Sequence, residues 1–253
     1  MTTAATSLLQ RTIGQGWIRA SLSAAASPRA GILLLPPFFH EWQRGYRLFA
    51  LLAEALAVRG TSVLRFDYRG TGDSSGADTE FLPSRALDDA DVALSLLREH
   101  CEAPVTLLGV RGGALLAEAL ALRRTLPWWA WQPVHDGESH LRDLRERDHH
   151  ERNNRLRFPF LGRPRSGTDD ALMGHRLHPE FALELGIFRR RAAPDCRIDA
   201  ESACGPGDVA LPPDFVAWAG QLDLQSAPAL SAVARTADTL AARLYGPADR
   251  AVA

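Results

Sequence analysis

A short apolar run, a turn built on three glycines and a helix rich in alanine and leucine follow one another without a break in PVTLLGVRGGALLAEALALR, residues 104–123. No other stretch limits the fold so tightly. Pro104 opens a buried strand over Val105 to Leu108, Gly109-Val110-Arg111-Gly112-Gly113 turns sharply, and Ala114 to Leu122 continues in strong helix formers. Glycines two residues to either side of position 111 permit a strained turn that lifts one side chain over the end of a parallel sheet, the layout called a nucleophile elbow. Serine is the residue expected at such an apex. The chain has Arg111, which carries no nucleophilic oxygen and stays charged at any working pH.

Around this elbow the chain alternates strands and helices. Gly16 to Ala25 reads as a strand of moderate alternation, and Ile32 to Leu35 as one apolar on both faces, suited to the middle of a parallel sheet. Pro36 to Trp42 reads as a loop at its carboxyl end, followed by an amphipathic helix from Gly45 to Val58 that Gly60 stops. Thr61 to Phe66 is the next strand, and the glycine-dense loop Asp67 to Gly76 leads to a helix from about Ser84 to His100. Trp128 to Val134 supplies a further strand. The order implies an α/β fold with a doubly wound, mostly parallel sheet.

After Asp136 the pattern changes. Glu138 to Arg165 is crowded with charge and Gly162 to Asp170 adds Gly, Pro and Ser, which reads as one or two inserted helices held loosely over the sheet's edge. We expect a single domain over residues 1–253 with 138–180 as a cap or lid. Helical periodicity returns over His178 to Arg191, strands are expected in Pro194 to Ala203 and Asp214 to Gly220, and a helix from about Ala229 to Tyr245 closes the chain. The gap between the last two strands is too short for the helix of a parallel crossover, so the C-terminal part reads as reduced.

With 253 residues, 46% hydrophobic, and a net charge of −1, the chain can build one large core and carries no field that would draw it to nucleic acid. The apolar run from Ile32 to Pro37 is far short of a membrane span, the N-terminus lacks the parts of a signal peptide, and Cys101, Cys196 and Cys204 suit reduced thiols. A cytoplasmic location, no cofactor and no metal are the expectations.

Asp67-Tyr68-Arg69-Gly70-Thr71-Gly72-Asp73-Ser74 after one strand and Gly109-Val110-Arg111-Gly112-Gly113 after the next resemble the α/β-hydrolase superfamily over roughly Ile32 to Val134. LLLPPFF, FDYRGTGDSSG, LGVRGGALLAEA, WQPVHDGESHLRDL and GHRLHPEFALEL, in that order, are similar to the hydrolase-like proteins associated with the exosortase A system, particularly the second type. That resemblance implies a bacterial protein beside exopolysaccharide and protein-sorting machinery.

A serine hydrolase of this kind needs a nucleophile at the elbow, a histidine after the last strand and an acid between them. Arg111 replaces the first, and no histidine occurs after His178, where Gln221, Leu222 and Asp223 stand instead. Losing both removes covalent attack and proton transfer together. Ser74 matches Gly-x-Ser-x-Gly formally but lacks a strand-to-helix elbow, and Asp208 reads as a turn residue.

The backbone N–H groups of Gly112, Phe38 and Phe39 are the candidate anion donors, since Pro36 and Pro37 have none. Arg111 beside them suits a carboxylate, sulfate or phosphate, or else pairs internally with Glu41, Asp67 or Asp136. His40 and Glu41 are the candidate acid and base. Asp148 to Glu151 and His175 with His178 lack a convergent ligand set. Three readings follow: a non-hydrolytic protein binding an anionic small molecule, peptide or glycan, with 138–180 as a surface for a protein partner; an isomerase or epimerase using His40 or Glu41; and an esterase or peptidase.

Overall fold

The computed structural model describes residues 5–155, 159–160, 167–168, 170–218 and 229–245. In chain order the elements are β1 (Ala5–Ile13), β2 (Gly16–Ala24), β3 (Ala30–Leu35), α1 (His40–Val58), β4 (Thr61–Phe66), α2 (Pro83–His100), β5 (Val105–Val110), α3 (Gly113–Arg124) and β6 (Trp128–Trp131). There follow α4 (Gly137–Arg152), β7 (Ala171–Leu172), β8 (His175–Arg176), α5 (Phe181–Ile187), β9 (Cys196–Asp199), β10 (Val209–Ala210), α6 (Pro213–Val216) and α7 (Leu230–Tyr245).

Eight strands form one sheet in the order β1-β2-β4-β3-β5-β6-β9-β10, with a separate β7-β8 hairpin. β1 pairs antiparallel with β2 and β2 with β4, and every later pair is parallel. The side-chain period of two divides each central strand between two cores. Leu33, Leu35 and Leu107 join the face covered by α2 and α3, whereas Ile32, Leu34 and Leu108 join the face covered by α1 and α7. Each fully buried leucine contributes about 2 kcal/mol, so a strand buried on both faces fixes the middle of the sheet.

Glycine is required where β5 meets α3, because a Cβ on Gly109 would lie 2.5 Å from Ala114 Cα and one on Gly113 would lie 2.4 Å from the Leu35 carbonyl oxygen. Helix and strand therefore approach as closely as the backbone allows.

Several sequence expectations need correction. α1 starts at His40, so His40, Glu41 and Trp42 are helical and not in a loop; Phe39 makes the turn before them. The expected strand at Asp214–Gly220 is absent from its described part, Asp214 to Trp218, because Pro213 starts the short helix α6 and Phe215 and Trp218 are spaced for a helix. Among the described residues the last strand is β10. It lies parallel to β9 after a short connection containing a 3₁₀ turn, which suffices because only Val209↔Ile198 and Ala210↔Asp199 pair. The sequence had also marked no strand at β1, and α5 is shorter than the periodicity from His178 to Arg191 suggests. α4 is not loosely held, since its Leu141 and Leu144 are buried in the core and His140 is buried beside them.

Candidate functional site

Three strands of the sheet end in non-glycine residues with positive φ: Phe39 at 52° a few residues beyond β3, Arg111 at 50° directly after β5 and Gln132 at 42° directly after β6. Each left-handed residue costs about 1–2 kcal/mol and persists only where its surroundings hold it. Arg111 N donates to the Trp131 carbonyl at 2.9 Å and Gln132 N to the Ile198 carbonyl at 2.8 Å, so the strained turns continue the sheet's own hydrogen bonding. The Gln132 amide is clamped as well: Trp218 Nε1 donates to its Oε1 at 2.6 Å, and its Nε2 donates to the Val216 carbonyl at 2.8 Å. Phe39 is fixed by ring contacts to Phe81, Phe181 and His175.

The charges converge on Glu41, whose side chain is 0% exposed. Arg111 Nε donates to Glu41 Oε1 at 3.2 Å, and Arg147 Nη1, from α4, donates to the same oxygen at 3.3 Å. Arg111 Nη1 also reaches the Gln132 carbonyl at 3.4 Å. His140 Nε2 lies 3.8 Å from Glu41 Oε2, beyond hydrogen-bond distance. Burial works to raise the Glu41 carboxyl, and His140, Arg111, His40 and Arg147 outweigh it, so it sits below its ordinary value. Burial pushes His140 down against the pull of Glu41, and lowers His40 to about 4. Glu41 is thus held toward its carboxylate form by the positive groups packed around it, of which the two guanidiniums carry their charge at every pH.

Among the described residues, four buried polar atoms of this cluster have no hydrogen-bond partner: His40 Nδ1, Glu41 Oε2 and both ring nitrogens of His140. The His140 ring abuts the elbow, since a Cβ on Gly112 would lie 2.9 Å from its Nε2 and 2.7 Å from the Phe38 ring. Among the described residues no acceptor takes the N–H of Phe39 or of Gly112, the residues just before α1 and α3, as expected of helix starts. Arg111 Nη2 likewise has no acceptor among them, and the side chain is 17% exposed.

Alpha/beta hydrolase GrgF from Penicillium sp. sh18 superposes with a TM-score of 0.54 at 15% identity, covering 77% of this chain and 78% of that one. The fold is that of the α/β hydrolases. A putative hydrolase from Agrobacterium vitis S4 (TM-score 0.47, 19% identity, 72% of this chain and 73% of that one) is also similar. So is an α/β serine hydrolase without lid from Xanthomonas campestris (0.44, 18%, 51% and 61%). Neither a protein-family model nor a curated protein matches the sequence.

Within the α/β-hydrolase fold, the guanidinium of Arg111 occupies the elbow apex, paired with Glu41 and not with Asp67 or Asp136. Asp67 instead accepts from Trp42 Nε1 and Asp73 N, and Asp136 caps α4 by accepting from Ser139 N. Ser74 lies away from the elbow, and its hydroxyl donates to the Asp67 carbonyl at 2.6 Å while accepting from Arg19 N at 2.8 Å. Asp208 accepts from Gly205 N and Arg197 N, a turn role. His178 caps a turn through Glu180 N, and His175 faces Asp78 at 3.2 Å; among the described residues no group of three or more His, Cys, Asp or Glu is placed to hold a metal. No helix among them is long and apolar enough to cross a membrane. Gln221, Leu222 and Asp223 lie outside the described residues.

Sequence reasoning missed His140, Arg147 and Gln132. The first two share one face of α4 with the buried Leu144, at spacings of four and three residues, so the periodicity inside the charged stretch held the signal. Gln132 left none, because its role comes from a backbone angle and from Trp218, 86 residues away.

Proposed function

We propose that this chain is a non-hydrolytic binding protein built on the α/β-hydrolase fold, in which the elbow cation receives the anionic group of a small molecule, peptide or glycan. One observation carries this reading: Arg111 is held from one side by the buried carboxylate of Glu41, leaving Nη2 unengaged among the described residues at a partly exposed apex. A guanidinium oriented this way is a prepared donor for a carboxylate, sulfate or phosphate, and the N–H groups of Phe39 and Gly112 offer further donors at two helix starts.

The isomerase reading is weaker, because Glu41 already serves two guanidiniums and its lowered pKa makes it a poor base. The esterase or peptidase reading lacks a serine at the apex. Residues 138–180 act as a cap in this proposal, since α4 brings His140 and Arg147 onto Glu41. The resemblance to exosortase A-associated proteins supports a cytoplasmic role beside bacterial exopolysaccharide or protein-sorting machinery.

The test is NMR titration of the protein with sodium sulfate, phosphate and acetate, reading the Arg111 Nε and Gly112 and Phe39 amide resonances. Saturable shifts that Arg111→Ala abolishes and Arg111→Lys weakens are expected. Equal binding by Arg111→Ala, or no saturable shift with any of the three, overturns the anion anchor. Labelling by a fluorophosphonate probe overturns the non-hydrolytic assignment.

A further inference from the structure

α5, FALELGI, buries one side and leaves the other apolar. Phe181 and Leu185 are at most 1% exposed, whereas Leu183 and Ile187, one helical turn apart, are each 72% exposed. Beside Ile187 the C-terminal half of α3 presents Leu122 at 71% exposure. The two helices border a cleft of about 250 Å³ lined by Leu115, Ala119, Leu122, Ile187, Phe188 and, at its rim, Arg189 and Arg191. A helix apolar on both faces is ordinarily covered on both, and an exposed apolar cleft with a polar rim marks a contact surface.

The exposed charged side chains lining the cleft are both arginines, with Asp136 beside Arg189 just outside it. After α5 the chain is extended, so alternate side chains diverge. Arg190 turns inward and donates to the Val134 carbonyl at 2.9 Å, while Arg189 and Arg191 are exposed. The carboxylate in the lining, Glu118, is buried and already accepts from Arg191 N at 2.7 Å and Ala192 N at 2.6 Å. Its oxygen is thus taken up by backbone N–H groups below the surface, and the exposed charged side chains lining the cleft are Arg189 and Arg191.

The geometry points to a protein-docking surface between α3 and α5 whose occupant is an acidic amphipathic segment of a partner protein, with apolar side chains seated against Leu122 and Ile187 and carboxylates facing Arg189 and Arg191. Apolar anchors inside a ring of complementary charge are the usual arrangement for such recognition. The surface involves none of the residues around Arg111, so it stands apart from the anion site.

Fluorescence anisotropy with a short synthetic helical peptide carrying leucines at helical spacing among glutamates, and with its twin in which lysines replace the glutamates, tests this. The acidic peptide is expected to bind saturably. Ile187→Glu and the double variant Arg189→Glu with Arg191→Glu should each weaken it roughly tenfold or more, the double variant should gain affinity for the lysine twin, and Arg111→Ala should change nothing. Ile187, Arg189 and Arg191 are exposed, and circular dichroism checks the folding of every variant. Absent binding, equal binding of both peptides, or indifference to the α5 substitutions overturns the proposal. Sedimentation showing a dimer that Ile187→Glu dissolves also overturns it, by making a second copy of the chain the occupant.

Discussion

Two clusters of buried charge lie beside the parallel strands, and they are built to different standards. Around the loop after β4, Asp89 of α2 accepts from Arg69 N at 2.8 Å and Arg69 Nε at 2.6 Å, while both oxygens of Asp67 and the hydroxyl of Ser74 are engaged. At the elbow, Glu41 and its two imidazole neighbours leave four buried atoms without a hydrogen-bond partner among the described residues, against two on Arg65 beside Asp67 in the other cluster. A saturated network rigidifies a loop, whereas a partly satisfied one costs stability and is retained where something else must bind or move. The contrast separates a brace from a site although both are rich in Asp, Glu and Arg.

The sharpest test is Glu41→Gln. It leaves two guanidiniums facing a buried neutral amide, and we expect a loss of about 3–5 kcal/mol in urea unfolding. A loss no greater than that from an exposed carboxylate would erase the distinction between the clusters.

Acid should act on the two clusters in opposite directions. His40, lowered to about 4 from its ordinary 6.5, binds fewer protons folded than unfolded between those values, so its contribution is complete above about pH 6.5 and is lost as pH falls toward 4. Burial lowers His140 too, which adds to the loss. Asp67 and Asp89 are raised by burial, so the folded chain takes up their protons first and acid favours folding as pH drops through their raised values. Unfolding measured from pH 7 to 4.5 should show a net fall of about 2–3 kcal/mol, set by the imidazoles. His40→Gln should flatten it; an unchanged slope in that variant refutes the assignment to His40.

Asp89→Asn removes the charge from both bonds to Arg69, and a loss of about 2 kcal/mol is expected with anion binding at Arg111 intact. Ser74→Ala is the smallest change, about 1 kcal/mol for two hydrogen bonds in the brace. A larger effect on ligand binding than on stability would move Ser74 from brace to site.

Much of the sheet was legible because local pattern and tertiary role agree. The strand Thr61 to Phe66 is an unbroken buried run, and Gly109 is demanded by its close approach to Ala114 a few residues on, although Gly113 is demanded by the Leu35 carbonyl of the neighbouring strand. The C-terminal part was less legible. DFVAWAG is apolar enough for a strand, and only Pro213 and the positions of Phe215 and Trp218 in the core turn part of it into helix.

The sequence by itself determined that a cation stands at the apex of the elbow and that no histidine follows His178, because residue identity is local information. Tertiary structure alone decided which carboxylate neutralises that cation. Glu41, Asp67 and Asp136 were equivalent on paper. Packing α1, β5 and α4 together set one of them 3.2 Å from Arg111 Nε and brought Arg147 to the same oxygen. Ion pairing depends on distance and burial, and neither is written in the order of the residues.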